Sequence, residues 1–337
     1  MNLPQVLAAI VEPNQVVAAE TQRVLDRKTK PRGSLGRLEF LACQIAGIRG
    51  EVRPALPKKA IVVMAGDHGV TAEGVSAYPQ EVTRQMVLNF AGGGAAINVL
   101  ARQAGARLVV VDMGVKDAGN IPGVLDRRVG NGTANMAAGP AMGEDQATAA
   151  IEHGVALVEE LVSDGVTLLG IGEMGIGNTT SASALVAAYS GEEVEAVTGR
   201  GTGVDDAGWA KKVAVIRRAL AVNRAAKLSP LGVLAALGGF EIAGLAGVVL
   251  GAAALHVPVI LDGFIASTAA LAAVRIAPAA AGTVLPSHRS VEAGHRRVLE
   301  RLGVRPILDL DMRLGEGTGA ALAMHLVEAS LLILRDM

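Results

Sequence analysis

The sequence predicts an α/β protein with a doubly wound, mostly parallel sheet that carries helices on both faces. Short runs of β-branched and aliphatic residues alternate along the chain with Ala-rich stretches of helical pattern. Each run is apolar throughout, which is typical of strands that are buried on both faces. The 42 glycines would allow many tight turns between strands and helices.

The predicted helices and strands follow one another in a regular order. Residues 1–50 have a helical pattern, with a break at 30–39 where Pro31, Gly33 and Gly36 interrupt it. The predicted strands that follow are residues 60–65, 107–113, 166–172, 257–261 and 282–286.

The segment 242–261, IAGLAGVVLGAAALHVPVIL, is long enough to cross a bilayer. It is rich in Gly and Ala, and it contains His256 and Pro258. We therefore predict a buried helix, a turn at His256 and a buried strand, and no membrane span. The N-terminus has no basic region and no small-residue cleavage site, so we expect no signal peptide.

Length, charge and composition limit the class of protein. The 337 residues suffice for one large domain, or for a large domain and a small one. Hydrophobic residues make up 51% of the chain and the formal net charge is −1, which argues against general nucleic-acid binding. One Trp, two Tyr and four Phe are too few for a base-stacking platform. Cys43 is the single cysteine, which fits a reducing cytosol.

Polar side chains stand at the end of every predicted strand. In chain order they are Asp67 and His68, Asp112, Glu173, Asp262, and Ser287 and His288. In an open parallel sheet, ligands bind at the carboxyl ends of the strands. The sequence therefore predicts that these five clusters form one shared site.

A glycine-rich loop, GIGEMGIGNTTSAS at residues 170–183, joins the third strand to a helix. Gly175 and Gly177 would let a ligand approach the backbone closely. The residues at the start of the helix are Asn178, Thr179 and Thr180. Backbone N–H groups and short hydroxyl side chains at such a point suit a phosphate or a carboxylate, unless Asn178 or Thr179 only caps the helix. The loop lacks the lysine of a triphosphate-binding loop, so it indicates a monophosphate.

Two carboxylates stand among glycines. Glu173 lies within the loop just described, and Glu316 lies between Gly315 and Gly317, just before a second helical stretch. A carboxylate flanked by glycines is accessible to a ligand. Glu316 is therefore a candidate general base, or else an acidic group near a helix N-terminus.

Two further segments carry weaker signals. Asp67 and His68 could form half of a metal site, but no third ligand stands at a diagnostic spacing. The glycine loop 199–206 contains Arg200 and is followed by Lys211 and Lys212. These cations could bind an anion or could be solvated surface charges.

Taken together, these segments resemble those of the nicotinate-nucleotide–dimethylbenzimidazole phosphoribosyltransferase family, whose members prepare the lower ligand of cobalamin. The resemblance covers nearly the whole chain. The matching motifs, in the family's order, are KPRGSLGRLE (30–39), MAGDHGV (64–70), YPQEVT (78–83), GIGEMGIGNTT (170–180), LDGF (261–264), PSH (286–288) and MRLGEGTGAALAM (312–324).

The resemblance implies a large α/β domain at residues 55–290 that carries the active site. It also implies a small helical domain built from residues 1–50 and part of 290–337, and a homodimer. The implied reaction converts nicotinate mononucleotide and 5,6-dimethylbenzimidazole into nicotinate and α-ribazole 5′-phosphate, with inversion at the ribose. No metal and no cofactor are expected, and the expected location is the cytoplasm.

The resemblance also implies roles for particular residues. Glu316 becomes the general base, and Glu173 matches a family acid near the ribosyl centre. The expected substrate-binding residues are Tyr78, Pro79, Met86, Gly175, Gly177, Asn178, Thr179, Thr180, Gly201, Lys212, Asp262, Ser290, Leu314 and Gly315.

The expected benzimidazole pocket departs from the family pattern at two positions. Tyr78 stands where the family has Ser, and Met86 stands where it has Gln. A pocket with fewer fixed donors would discriminate less between related bases.

Two other classes of protein stay open on the residues alone. One is a metal-dependent phosphohydrolase centred on Asp67 and His68, which a chelator would inactivate. The other is a nucleotide-binding or membrane-associated protein without turnover, which would bind nicotinate mononucleotide unchanged or sediment with membranes.

Overall fold

The computed structural model describes residues 1–337 and contains one six-stranded parallel sheet. The strands are β1 Lys59–Gly66, β2 Arg107–Gly114, β3 Val124–Asp126, β4 Leu168–Met174, β5 Val259–Leu261 and β6 Val284–Pro286. Their order across the sheet is β3-β2-β1-β4-β5-β6. The strand order therefore reverses between β1 and β4, which is where a doubly wound sheet opens a crevice. The predicted fold class is confirmed.

Fourteen α-helices surround the sheet. The first seven are α1 Leu3–Ala9, α2 Gln15–Asp26, α3 Arg37–Arg49, α4 Val82–Ala91, α5 Ala96–Gln103, α6 Glu144–Ser163 and α7 Asn178–Ser190. The others are α8 Val194–Val197, α9 Asp206–Val222, α10 Pro230–Leu237, α11 Phe240–Ala254, α12 Phe264–Ile276, α13 Ala293–Leu302 and α14 Thr318–Asp336.

The two faces of the sheet belong to two separate apolar clusters. Val62 and Met64 of β1 pack with residues of α6, α7, α11 and α12 on one face. Ile61 and Val63 of the same strand pack with residues of α2, α3, α5 and α14 on the other face. Successive side chains of a strand point to opposite faces, so the continuous apolar runs in the sequence follow from burial on both faces.

All five predicted strands are present, and one strand escaped prediction. β3 has three residues, none of them buried, and it pairs with β2 at the edge of the sheet. An exposed strand of this length produces no apolar run. The predicted helix, turn and strand across 242–261 are confirmed as α11, a turn and β5, and His256 in the turn has a φ of 57°.

One helix, α14, is long and apolar enough to cross a membrane by length and composition. In the structure, 56% of its apolar window is buried against the rest of the protein. Its buried side chains include Met324 and Val327, which belong to the cluster on the α3 side of the sheet. The helix thus fills a structural role within the core.

The two ends of the chain pack on different faces of the sheet. α3 and α14 share one apolar cluster, whereas Leu3 and Val6 of α1 pack in the other cluster, beside α6 and α11. The division into a large domain and a small helical domain stays a prediction.

Candidate active site

A cleft of about 380 Å³ opens at the carboxyl ends of β4, β5 and β6. Its volume lies within the range of small-molecule sites. Its lining includes both predicted carboxylates, Glu173 and Glu316. The other predicted residues that line it are Tyr78, Met86, Gly175, Gly177, Asn178, Thr179, Gly201, Ser290, Leu314 and Gly315.

A backbone contact between β4 and the loop before α14 brings the two carboxylates together. A Cβ placed on Gly172 would lie only 2.0 Å from the backbone nitrogen of Gly317, so a side chain at this position would separate the two segments. Gly317 has a φ of 88°, a conformation that favours glycine. Glu173 and Glu316 immediately adjoin these two glycines.

Glu173 is the penultimate residue of β4, and its buried side chain lines the cleft. Asn178 donates a hydrogen bond through Nδ2 to Glu173 Oε2. Burial raises the pKa of Glu173 to about 8, and the nearby carboxylates of Asp262 and Glu241 act in the same direction. Glu173 therefore holds a proton more readily than an ordinary glutamate.

Glu316 stands on a loop that Asp262 holds in place. Asp262 Oδ2 accepts a hydrogen bond from Gly317 N at 2.9 Å, and Oδ1 accepts one from Gly319 N at 2.7 Å. Burial raises the pKa of Glu316, and a backbone hydrogen bond from Ile97 opposes this shift. Glu316 Oε2 is buried and has no hydrogen-bond partner in the protein. The loop is thus held in place beside the cleft, and one carboxylate oxygen is unpaired.

The N-terminus of α7 combines a helix start with a buried cation. Gly177 precedes it with a φ of 92°, and Lys212 Nζ donates to Thr179 Oγ1 at 2.8 Å. Burial lowers the pKa of Lys212 to about 8, and the charge of Glu292 opposes this shift. A helix N-terminus beside a lysine favours a bound anion.

The other predicted cations face elsewhere. Lys211 is exposed, in contrast to its neighbour Lys212. Arg200 donates to Val204 O at 2.9 Å and forms an ion pair with Asp206. The solvated interpretation therefore fits Lys211, and the anion-binding interpretation fits Lys212.

Four predicted site residues do not line the cleft. Lys212 lies behind the cleft and contacts Thr179, and Asp262 lies behind it and binds the loop of Glu316. Thr180 is fully buried within α7, and Pro79 is exposed. Of the two residues that depart from the family pattern, Tyr78 is 56% exposed and lines the cleft with Met86.

The expectation of one site shared by five strand ends is wrong for β1 and β2, because the protein itself binds their polar groups. His68 Nε2 lies 2.6 Å from Glu241 Oε1, and Asp67 Oδ2 accepts from Lys116 N at 2.8 Å. Asp112 Oδ1 accepts from Gly114 N at 2.9 Å and from Val115 N at 2.7 Å. None of these side chains lines the cleft.

The partner of His68 also bears on the suggested metal site. Burial lowers the pKa of His68, but the contact with Glu241 and the charge of Asp67 together raise it above its ordinary value. The structure contains no group of three or more His, Cys, Asp or Glu side chains arranged to hold a metal. Asp67 and His68 therefore form part of an internal polar network.

Several cleft residues were missed as site residues. Phe264 and Ile265 of α12, Arg313 and Thr202 line it. His288 also lines the cleft. The sequence predicted this histidine only as one of the polar groups at a strand end. The signal for all of these was weak, since they come from loops and helix starts that only the fold brings together.

Comparisons with known proteins agree over nearly the whole chain. Residues 10–337 match a family model described as phosphoribosyltransferase. The nicotinate-nucleotide–dimethylbenzimidazole phosphoribosyltransferase of Geobacter metallireducens is 54% identical over 99% of this chain and 95% of its own length. The enzyme of that name from a Roseiflexus species is 55% identical over the same shares of the two chains.

A solved structure extends the agreement to the fold. The crystal structure of CobT from Thermus thermophilus superposes with a TM-score of 0.91 at 48% identity, and the match covers 95% of this chain and 96% of that one. Sequence and fold therefore lead to one conclusion: the chain belongs to the nicotinate-nucleotide–dimethylbenzimidazole phosphoribosyltransferase family.

Proposed function

We propose that the protein transfers the 5-phosphoribosyl group of nicotinate mononucleotide to 5,6-dimethylbenzimidazole. The products are nicotinate and α-ribazole 5′-phosphate, the precursor of the cobalamin lower ligand. The observation that carries the proposal is the cleft itself, in which two buried carboxylates, Glu173 and Glu316, lie near the start of α7, where Lys212 contacts Thr179.

The phosphate group of the nucleotide fits the start of α7. Thr179 lines the cleft there, and Lys212 contacts Thr179 from behind. A phosphate in this place would accept hydrogen bonds from the helix N-terminus and would offset the buried charge of Lys212.

The acceptor base fits the part of the cleft that Tyr78 and Met86 line. These residues follow β1, on the side of β4 away from β5 and β6. Glu316 contacts Ile97 of α5, which lies in the same β1–β2 part of the fold. The carboxylate proposed as the base therefore belongs to the half of the cleft in which a benzimidazole would lie.

The chemistry needs one base and no proton donor. The bond from ribose C1′ to the pyridinium nitrogen breaks, and its electron pair leaves with nicotinate as a neutral pyridine nitrogen. One benzimidazole nitrogen forms the new bond to C1′ from the opposite face, which converts a β link into an α link. The other nitrogen gives its proton to Glu316. Holding both rings in line on either side of the ribose supplies most of the remaining acceleration.

Glu173 suits the ribosyl centre. Burial raises the pKa of Glu173, but a positively charged pyridinium and ribosyl group would favour its ionised form. An ionised carboxylate beside C1′ would stabilise the positive charge that develops as the bond to nicotinate breaks.

The proposed function includes a cytoplasmic homodimer. The family resemblance and the apolar composition of the chain support the dimer. Sedimentation equilibrium at micromolar concentration should give twice the monomer mass of 34.3 kDa. A single species at the monomer mass would contradict the dimer and leave the reaction untouched.

The direct test of the reaction is to incubate the protein with nicotinate mononucleotide, with and without 5,6-dimethylbenzimidazole, and to measure free nicotinate. We expect nicotinate and α-ribazole 5′-phosphate in equal amounts, and only with both substrates. Nicotinate release at the same rate without the base would indicate hydrolysis and would contradict the proposed transfer.

A further inference from the structure

His288 follows β6 and lines the cleft, although its side chain is almost entirely buried. Its Nδ1 lies 2.9 Å from Ser287 Oγ. Nε2 has no hydrogen-bond partner in the protein, and it is accessible to solvent. Nε2 is therefore the polar atom that His288 offers to a ligand.

The hydrogen-bond network assigns the proton of this imidazole. The Ser287 hydroxyl has a single proton, and Ser287 Oγ donates it to Asp262 O at 3.1 Å. Ser287 Oγ can then only accept from His288, so Nδ1 carries the proton. Asp262 Oδ1, 3.8 Å from Nδ1, favours a proton at the same nitrogen.

His288 is neutral, so its second nitrogen is an acceptor. Burial lowers the pKa of His288 below its ordinary value. His295, whose ring centroid is 6.1 Å away, has a pKa lowered to about 3, chiefly by burial, and it contributes no charge at neutral pH. With the proton on Nδ1, Nε2 has a free lone pair and no hydrogen.

The position of His288 selects the part of the substrate that it meets. β6 lies two strands from β4, on the side opposite to the segment that carries Tyr78 and Met86. The base is assigned to that segment, so His288 faces the nucleotide half of the cleft. In nicotinate mononucleotide near neutral pH, the carboxylate and the phosphate are chiefly acceptors, and the pyridinium nitrogen has no hydrogen. The ribose 2′- and 3′-hydroxyls are its donors.

We propose that His288 binds the ribose of the nucleotide by accepting a hydrogen bond at Nε2 from the 2′- or 3′-hydroxyl. This inference rests on the proposed function, since it takes nicotinate mononucleotide as the ligand. It makes His288 a residue that distinguishes ribonucleotide from deoxyribonucleotide substrates. Ser287 and Asp262 act through it, because they fix the tautomer that leaves Nε2 free.

The test compares two substitutions that keep different halves of the imidazole. In His288→Asn the amide replaces Nδ1 and no acceptor reaches the cleft, whereas in His288→Gln the amide oxygen replaces Nε2. Calorimetry would measure the affinity of each protein for nicotinate mononucleotide and for its 2′-deoxy and 3′-deoxy analogues, without the base. Thermal unfolding and 5,6-dimethylbenzimidazole affinity would verify that each variant is folded.

We expect wild type to bind one deoxy analogue about 10-fold more weakly than the parent nucleotide, as for one lost hydrogen bond. His288→Asn should bind the parent about 10-fold more weakly and lose this discrimination. His288→Gln should retain most of it. Equal discrimination by wild type and a folded His288→Asn would overturn the inference, as would equal wild-type affinity for all three nucleotides.

A nuclear magnetic resonance measurement tests the tautomer independently. The imidazole nitrogen signals that disappear in His288→Asn belong to His288, and we expect a protonated Nδ1 and an unprotonated Nε2. The reverse tautomer would overturn the inference and leave the proposed reaction standing. If wild type bound no nicotinate mononucleotide at all, the proposed function would fail and this inference with it.

Discussion

The two halves of the sheet end in the same kinds of polar residues but use them differently. At the ends of β1 and β2, Asp67, His68 and Asp112 are bound by protein groups. At the ends of β4 and β6, Glu173 and His288 line a cleft. The difference shows that the same residue types at strand ends can bind other groups of the protein or can line a cleft, depending on which loops and helices the fold packs beside them.

The strongest test of the cleft is Glu316→Gln. The amide keeps the shape of the side chain but cannot accept the benzimidazole proton, so we expect turnover to fall by about 10²–10⁴-fold. Nucleotide affinity, measured by calorimetry, should stay near wild type because it does not depend on the base. Turnover within a few-fold of wild type at saturating substrates would exclude Glu316 as the essential base.

Glu173→Gln tests whether the carboxyl group of Glu173 keeps its proton at a higher pH than an ordinary glutamate. Between an ordinary pKa of 4.5 and the folded value of about 8, the folded protein keeps this proton and the unfolded chain does not. Stability should therefore be greatest below this window and should fall as pH rises through it, by up to about 1.4 kcal/mol per pH unit for one proton. The variant should lose this part of the decline. Denaturant unfolding at pH 5 and pH 8 would measure it, with the exposed Glu12→Gln as control.

Thr179→Asp tests the anion site at the start of α7. The new carboxylate would repel a phosphate and would pair with Lys212, which now donates to Thr179. We expect the affinity for nicotinate mononucleotide to fall by about 10–100-fold, as for loss of a hydrogen bond to a charged group. Thr179→Ser, which keeps the hydroxyl, should bind nearly as well as wild type. Unchanged affinity in Thr179→Asp would place the phosphate elsewhere.

Asp112→Ala tests the end of β2, where protein groups bind the polar side chain. The substitution leaves the buried amides of Gly114 and Val115 without their acceptor, so stability should fall by about 1–3 kcal/mol. Turnover at a temperature where the variant is folded should stay within about twofold of wild type. Asp112→Asn, which keeps an acceptor oxygen, should lose less stability. A large loss of turnover without a loss of stability would mean that Asp112 also serves the reaction.

The smallest expected effect concerns the choice of base. With Tyr78 and Met86 in the cleft, we expect 5,6-dimethylbenzimidazole to be preferred, with benzimidazole, and also adenine, as slower substrates. The two methyl groups together should be worth no more than about 10–200-fold over benzimidazole, the selectivity that a hydrophobic pocket gives for one methylene. Competition assays with mixed bases would measure the ratio of kcat/KM, and the double variant Tyr78→Ser and Met86→Gln should raise it a few-fold. A preference of several thousand-fold in wild type would contradict a relaxed pocket.

The fold was predictable because its strands are apolar runs between helical patterns, and β3 was lost because it is short and exposed. Part of the site was also predictable, since Gly172 precedes Glu173 and glycines flank Glu316. The inward direction of Lys212 has a signal in the sequence, because Val215, Ile216 and Ala219 follow it at the spacing of a buried helical stripe. The pairing of Glu241 with His68 had no such signal, because the two residues are 173 positions apart and meet only in the fold.

The late position of Glu316 has a consequence for how the protein is made. A ribosome synthesises the whole sheet before the loop that carries Glu316 and before α14, which covers part of one sheet face. At about 5–20 residues per second, the nascent chain therefore spends several seconds with Ile61 and Leu168 less protected from water. A chain truncated before residue 316 would lack the proposed base and would expose apolar surface. Incomplete copies should therefore be catalytically inactive and prone to aggregate.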